Sequence, residues 1–406
     1  MSERKQRVLH VITALGFGGV EVWLMALLEH MRQRKLRGET VEEFDILMTG
    51  GRKAELDRQA QSLGATLHYI RFSRKNVARF ARDFRRLLRD RHYTAIHDHQ
   101  DYTSAWHFIA GAGLLPPLRI VHVHNPVTSL RVNTHTKSQK ALFAISRRIV
   151  KRIATHVLGT SAQVLGEYGF TSRAFPRQVI RPLHCGFDVR SFEMSHDEAN
   201  VSVCSELEWP LQSRICIFAG RLEGFDPRNP AWNHKNPRFA LETVRDAIAA
   251  GADIRAIFAG DGERMREQLE RDASAWGIGG RVRFVGKRRD VPRLMAASRI
   301  CLFPSLEEGL GMVAVEAQAA GVRVRASDTV PHEARVVTEL VTFMPLAAGS
   351  STWGAELKRL MELPRFDPAS AADAVRHSPF SIDESYAQLH AIYSSASTIH
   401  ASRRRT

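Results

Sequence analysis

Two doubly wound α/β domains are the fold class this sequence predicts, and three observations carry the prediction. The chain has 406 residues, against the roughly 100–200 of a typical single domain. Short apolar, β-prone runs alternate with amphipathic segments along nearly all of it, the pattern of a parallel sheet covered by helices on both faces. The alternation is interrupted once, between Ser195 and Gln212, by a polar, acidic and weakly periodic stretch, and Pro210 then leads into a fresh strand series.

The first series of predicted strands is Arg7–Ile12, Phe44–Met48, Thr66–Ile70, Ala95–His97, Ile120–His124 and His156–Gly159. The second is Ile215–Ala219, Ile254–Ala259, Val282–Val285, Ile300–Phe303, Val322–Arg325 and Val341–Met344. The interruption serves as the linker, giving a first domain over 1–195, a second over 213–378 and a terminal segment over 379–406. In that last segment Ser381–Ser395 reads as a helix, with apolar positions at Ile382, Tyr386, Leu389, Ile392 and Tyr393. No repeat of solenoid period is present. Ligands of such sheets bind beyond the carboxyl ends of the strands, so the site is expected in a cleft between the two domains.

Composition narrows the function classes. With 44% hydrophobic and 25% charged residues the chain is globular, not disordered. No apolar run reaches the ~18 residues of a membrane span, and the opening Met-Ser-Glu-Arg-Lys-Gln-Arg leads into a strand, so a cytoplasmic location is expected. Cys185, Cys204, Cys216 and Cys301 lack paired metal spacing and are expected as buried free thiols. The net charge of +15 suggests nucleic acid or anionic lipid as partners. Zinc-finger spacing, an RNP-like motif and a recognition helix are all absent, which disfavours nucleic acid. An anionic membrane surface fits better, with Arg71, Arg74, Lys75, Arg79, Arg82, Arg85 and Arg86 and the Arg403–Arg405 tail as candidates. An ordinary solvated helix face would explain the same residues.

The stretch from Pro304 to Gly321 places two carboxylates, Glu308 and Glu316, on either side of a predicted helix start. The strand Ile300–Phe303 ends at Pro304. The loop Gly309, Leu310, Gly311 and Met312 brings backbone N–H groups close to a ligand, and Met312–Ala320 has a helical composition whose positive end faces that loop. A diphosphate suits that end. Glu316, one turn inside, would accept hydrogen bonds from vicinal hydroxyls such as those of ribose, and Glu308 would contact a sugar. An exposed acid plus a helix-stabilising one is the plain alternative.

This stretch, with its continuation Gly321-Val-Arg-Val-Arg-Ala-Ser-Asp-Thr-Val-Pro-His-Glu-Ala, resembles the retaining glycosyltransferases of the GT-B fold, family 4, especially the exopolysaccharide-type branch. Gly311 stands where many members have proline. The resemblance implies two Rossmann-like domains with a terminal helix crossing back to the first. It also implies transfer of a sugar from a nucleoside-diphosphate donor (UDP or GDP) to a lipid-linked or oligosaccharide acceptor, without cofactor or metal. Peripheral attachment to the inner face of the plasma membrane is compatible with it. A catalytically idle scaffold of the same fold, or a nucleotide-sugar epimerase, remains as an alternative.

Carried over residue by residue, the resemblance assigns Glu308, Arg221, Lys235 and His124 to catalysis. Arg221 and Lys235 would neutralise the leaving diphosphate. The segment between them, Glu223–His234, is longer than usual, so Arg228 could substitute for Lys235, or the segment could form a lid carrying Trp232. Gly18 and Gly19, in a glycine-rich turn that is not a full dinucleotide signature, would lie against the donor phosphate. Gly286, Lys287 and Arg288 would hold the nucleobase. His124 would approach the donor sugar, with His99 and Asp98 on the acceptor side. The loop Asn125–Thr136, with Arg131, would choose the acceptor. Cys185 replaces the family's usual asparagine. The pairs His97/His99 and His122/His124 also invite a metal reading, since alternate residues of a strand share a face and each pair could converge, but no Glu or Cys ligand accompanies them at diagnostic spacing.

Overall fold

A computed structural model describes residues 6–127, 137–223 and 233–403, with side chains to 395. The chain divides at Phe187/Asp188: residues 1–187 with 382–406 form unit 1, and 188–381 form unit 2.

Unit 1 holds a seven-stranded sheet in the order β3-β2-β1-β4-β5-β6-β7. Its strands are β1 (Arg7–Ile12), β2 (Glu43–Met48), β3 (Thr66–Tyr69), β4 (Ala95–Asp98), β5 (Leu118–Val123), β6 (His156–Gly159) and β7 (Val179–Pro182). All neighbours run parallel, with Leu9 opposite Asp45 on one side and Ile96 on the other. The central strands are buried along nearly their whole length, as a sheet covered on both faces requires. One layer of the core packs Phe80, Phe84, Leu87 and Leu88 of the Val77–Arg91 helix against Leu9, Leu47, Ile96 and Val121.

Sequence reasoning missed β7, because Arg181 and Pro182 make it read as a turn. It lies at the sheet edge, where a residue without an N–H costs no ladder bond.

The terminal helix, Ile382–Arg403, belongs to unit 1. Trp23 Nε1–H donates to Ser385 Oγ at 3.0 Å, whose hydroxyl donates to His184 O at 3.0 Å. Glu42, only 4% exposed, accepts from Tyr386 Oη at 2.8 Å and lies 2.7 Å from His390 Nδ1. These partners lie hundreds of residues away in sequence, so the helix is fixed by tertiary contact and not by its own weak amphipathicity.

Unit 2 holds a six-stranded parallel sheet, β10-β9-β8-β11-β12-β13. The strands are β8 (Ile215–Ala219), β9 (Arg255–Ala259), β10 (Val282–Gly286), β11 (Ile300–Phe303), β12 (Arg323–Ser327) and β13 (Val341–Met344). The expected linker is different: His196–Glu206 is a helix of unit 2. Ser195 Oγ caps it by accepting from Glu198 N, and Asp197 and Glu198 sit in the first turn, where the helix dipole favours acids. Its buried face is Ala199, Asn200, Val203 and Cys204, too polar and small to show as periodicity. Asn200 Nδ2 donates to Ser213 O and Ala297 O, both at 3.0 Å. All four cysteines are buried free thiols, as expected.

Candidate functional site

In unit 2, β11 ends in an ordered turn that delivers Glu308 to a cation. Lys235 Nζ lies 2.6 Å from Glu308 Oε1, and Ser305 Oγ–H donates to the same oxygen at 2.6 Å. Glu308 is 8% exposed and Lys235 20% in its side chain, so the pair is largely shielded from water. The ammonium also sits 5.5 Å from the Phe303 ring centroid. Ser305 is itself fixed, its carbonyl accepting from Thr329 Oγ1 at 2.6 Å and from Ser327 Oγ.

Helix Met312–Ala319 follows, with Gly311 as its N-cap. Gly311 has φ +96°, and a Cβ there would lie 2.9 Å from Phe303 Cε1. Proline, expected here from the resemblance, cannot adopt that φ, so the glycine permits a left-handed backbone that proline would forbid. The loop is a specified turn, anchored by buried Leu310. Glu316 is half-buried one turn into the helix, and burial pushes its carboxyl up to about 7, with the Lys235 charge opposing. Gln318, fully buried, donates to Ala334 O at 2.8 Å and accepts from the N–H groups of Val336 and Val337, pinning the next segment under the helix.

Lys235 is placed by Asn233, which sequence reasoning missed. Its Nδ2 donates to Arg221 O at 2.9 Å and its Oδ1 accepts from Lys235 N at 2.9 Å, so one buried amide ties the two predicted cations' backbones together. His234 O accepts from Leu306 N at 2.6 Å, joining this turn to the Glu308 loop. Burial, with Lys235 beside it, pushes His234 down to about 4. Arg228 and Trp232 lie outside the described residues, as do Arg131, Arg404 and Arg405; the Arg403 side chain does too.

The Gly260-Asp261-Gly262-Glu263 turn joins the strand ends of unit 2. A Cβ on Gly260 would lie 1.8 Å from Gly220 O, and Glu223 Oε1 accepts from Arg264 N at 2.8 Å, capping the Glu263–Ala275 helix. Gly286 has φ +66° and its carbonyl accepts from Gly260 N at 2.9 Å. Lys287 is exposed. Arg288 is paired with acids: its guanidinium meets Asp290 Oδ1 and Glu206 Oε1, each at 2.7 Å, and Arg293 shares both. Those hydrogen bonds hold the Asp290 carboxyl well below the usual carboxylate range. The Arg288 side chain thus fastens the His196–Glu206 helix.

In unit 1, Gly18 caps helix Gly19–Leu36. A Cβ on Gly18 would meet Glu21 Oε2 at 2.3 Å, so the Glu21 carboxylate folds back over the turn assigned to the donor phosphate. Nothing crowds Gly19. Asp98, expected on the acceptor side, is fully buried and accepts from Ser104 Oγ at 2.8 Å and Gln100 N at 3.0 Å, with His107 Nδ1 at 2.7 Å; it holds the following turn together.

His124 directly follows β5 and is partly exposed. Its backbone N donates to Asp101 Oδ1 at 2.9 Å, and Asn125 Nδ2 donates to Asp101 Oδ2 at 2.9 Å. Asp101 was not foreseen; it sits at φ +49°, a conformation Asp tolerates, and burial pushes its carboxyl up to about 6. The paired histidines do converge, each pair with a third imidazole: His10/His97/His99 and His99/His122/His124 bring ring nitrogens within 4.8 Å of one another. His97 and His99 rings are 4.2 Å apart at 25°, and His122 and His124 are 4.0 Å apart at 37°. The first pair is stacked and the second tilted, and the same nitrogens are also joined to one another by hydrogen bonds, His10 Nδ1 to His99 Nε2 and His99 Nδ1 to His124 Nε2, each at 3.0 Å. Cys185 Sγ lies 3.9 Å from His124 Nδ1, and burial pushes its thiol up to about 12.

Comparison with known proteins agrees with this architecture. A family model described as "Glycosyl transferase 4-like domain" matches residues 18–186, and one described as "Glycosyl transferases group 1" matches 213–362. The chain is 28% identical over 363 residues to a protein of Bacillus subtilis (strain 168) named as glycosyltransferase EpsF, covering 88% of each. It is 20% identical over 365 residues to the capsular polysaccharide biosynthesis glycosyltransferase CapH of Staphylococcus aureus, covering 87% of this chain and 90% of that one. Among solved structures, Anabaena HepE in complex with UDP and glucose superposes with a TM-score of 0.72 at 17% identity, over 96% of this chain and 100% of that one, a likeness of fold.

Proposed function

The chain belongs to the GT-B glycosyltransferases of family 4, and from that membership we propose a retaining enzyme. It moves a hexose from a nucleoside-diphosphate-sugar, with UDP or GDP as carrier, to a hydroxyl of a lipid-linked or polysaccharide acceptor in envelope glycan synthesis. The observation that carries this reading is the shielded Lys235–Glu308 pair, 2.6 Å apart, before a helix N-terminus with Glu316 one turn inside. A leaving diphosphate needs cations and aligned amides where its charge develops. A sugar and a ribose need carboxylate acceptors. The UDP bound by HepE suits the same carrier class.

In the proposed step the bond from the anomeric carbon to the phosphate oxygen breaks, and its electron pair leaves with the diphosphate. The acceptor oxygen bonds the same carbon on the same face and passes its proton to the departing phosphate oxygen. Lys235 and Arg221 stabilise the diphosphate, Glu308 holds the sugar, and Glu316 accepts from ribose hydroxyls. His124 is assigned a contact with the donor sugar on the strength of the resemblance. No metal enters the step, and no described helix is long and apolar enough to cross a membrane. Exposed Arg74, Lys75, Arg79, Arg82 and Arg86 suit peripheral attachment at an anionic inner surface.

Nucleoside diphosphate release across a donor panel tests the reading. Glu308→Ala is expected to lower kcat by about 10²–10³, and Glu316→Ala to raise the donor KM at smaller cost to kcat. The product should keep the donor's anomeric configuration by NMR. Wild-type rates in both variants with an identified donor would sink the assignment.

A further inference from the structure

Two hydrogen-bonded lines of histidine run through the interior of unit 1, and they end differently. In one, Tyr393 Oη lies 2.7 Å from His97 Nδ1, His97 Nε2 lies 3.2 Å from His122 Nδ1, and His122 Nε2 lies 3.1 Å from Leu183 O. A carbonyl only accepts, so His122 carries its proton on Nε2, its Nδ1 accepts from His97 Nε2–H, and His97 Nδ1 accepts from the Tyr393 hydroxyl. Every ring nitrogen of that line is satisfied in one sense only. Its role is structural.

The other line has no carbonyl at either end. His10 Nδ1 lies 3.0 Å from His99 Nε2, His99 Nδ1 lies 3.0 Å from His124 Nε2, and His124 Nδ1 faces the Cys185 sulfur at 3.9 Å. The line leads from a fully buried ring on β1 to a partly exposed one just after β5. His10 packs on Phe44 with centroids 4.2 Å apart, and its Nε2 is buried without a partner among the described residues.

If the protons pointed inward, that orphan would be an N–H; if they point outward, it is a lone pair. A buried N–H without an acceptor is the rarer state in proteins, an under-satisfied acceptor the more tolerated one. The protons therefore run outward: His10 Nδ1–H to His99 Nε2, then His99 Nδ1–H to His124 Nε2. His124 is left with its proton on Nδ1, facing a sulfur that accepts weakly. Burial supplies the neutral rings such a line needs, holding His10 and His124 down at about 3 and His99 well below its ordinary value.

We infer that His10 and His99 are positioning residues that set the tautomer of His124, so that it meets an oxygen of the nucleotide-sugar as an N–H donor and not as an acceptor. The inference rests on the reading of the site proposed above. Both residues act through His124, with no contact of their own to the reacting atoms.

Long-range proton–nitrogen correlation spectra of the histidine-labelled protein, taken without nucleotide and assigned against His124→Ala, test it. The expected result is His124 protonated on Nδ1. In His10→Asn the side-chain amide donates where Nδ1–H did, so the tautomer persists and the donor KM stays within about threefold of wild type. In His10→Phe the donor is lost, the tautomer becomes mixed, and the donor KM rises about tenfold, the worth of one hydrogen bond, with kcat less affected. A wild-type His124 protonated on Nε2, or an unchanged tautomer in His10→Phe, overturns the inference. Should His10→Phe not fold, the wild-type and His10→Asn spectra decide. Wild-type transfer by His124→Ala overturns the donor-side role of His124, and because the spectra need no nucleotide, that failure is separable from failure of the line.

Discussion

Units 1 and 2 share a parallel, helix-covered sheet, yet they differ in the polar groups around which each is built. Unit 1 packs neutral imidazoles, with His10, His97 and His122 fully buried and Trp23 edge-on to the last two. Unit 2 relies on ion pairs and close backbone approach: Lys235–Glu308, the Arg288/Arg293/Glu206/Asp290 group, and Gly260 against Gly220. Neutral rings evade the cost of burying charge but are vulnerable to protons, whereas paired charges tolerate acid until their carboxylates titrate. The same sheet architecture therefore carries different liabilities in its two copies.

Acid offers the largest test of that contrast. Folding lowers the pKa of His10, His97, His99, His122, His124 and His156 in unit 1, but only of His196 and His234 in unit 2. The unfolded chain then binds protons that the folded one refuses. Stability is intact above the ordinary histidine value of 6.5 and falls as pH drops below it, each ring contributing about 1.4 kcal/mol per pH unit until its folded value, about 3 for His10 and His124, is reached. Asp101, pushed up to about 6, offsets one ring's share. Unit 1 is expected to lose several kcal/mol by pH 5 and to open first. Peptide-resolved hydrogen exchange at pH 7.5 and 5, corrected for intrinsic rates, checks this; earlier opening of unit 2 would break the comparison.

Gly260→Ala probes the backbone approach of unit 2. A methyl 1.8 Å from Gly220 O must displace the strand-end turns that set Arg221, and a loss of about 3–5 kcal/mol in urea unfolding is expected. A cost below about 1 kcal/mol would mean that the turns yield freely.

Glu206→Gln should have the smallest effect. Its carboxylate binds two guanidiniums but is 36% exposed, so the expected loss is about 1 kcal/mol or less and shrinks further in 1 M salt. A larger, salt-independent loss would show that this network belongs to the unit's core.

Much of the site was legible because its chemistry is local. The spacing of Glu308 and Glu316 around a helix start, and the turn glycines beside them, follow from consecutive residues. What stayed hidden was long-range. Asn233 looks like any loop amide until its two hydrogen bonds tie Arg221 to Lys235. Asp101 and His10 carried no signal, since their meaning comes from His124 and His99 on other strands. Asp98 was misplaced for a complementary reason: it stands in a plausible motif, but Gln100, Ser104 and His107 on the following turn claim its side chain.

Two strand series, a helix led by glycine and a pair of acids were determined by the sequence alone, because periodicity and turn chemistry act over a few residues. Tertiary structure decided which polar groups meet. It turned the acidic 196–206 stretch into a packed helix, gave Gly311 a conformation closed to proline, and lined five imidazoles up between strands. Such choices depend on which buried donors find acceptors, and only the folded chain brings them within 3 Å.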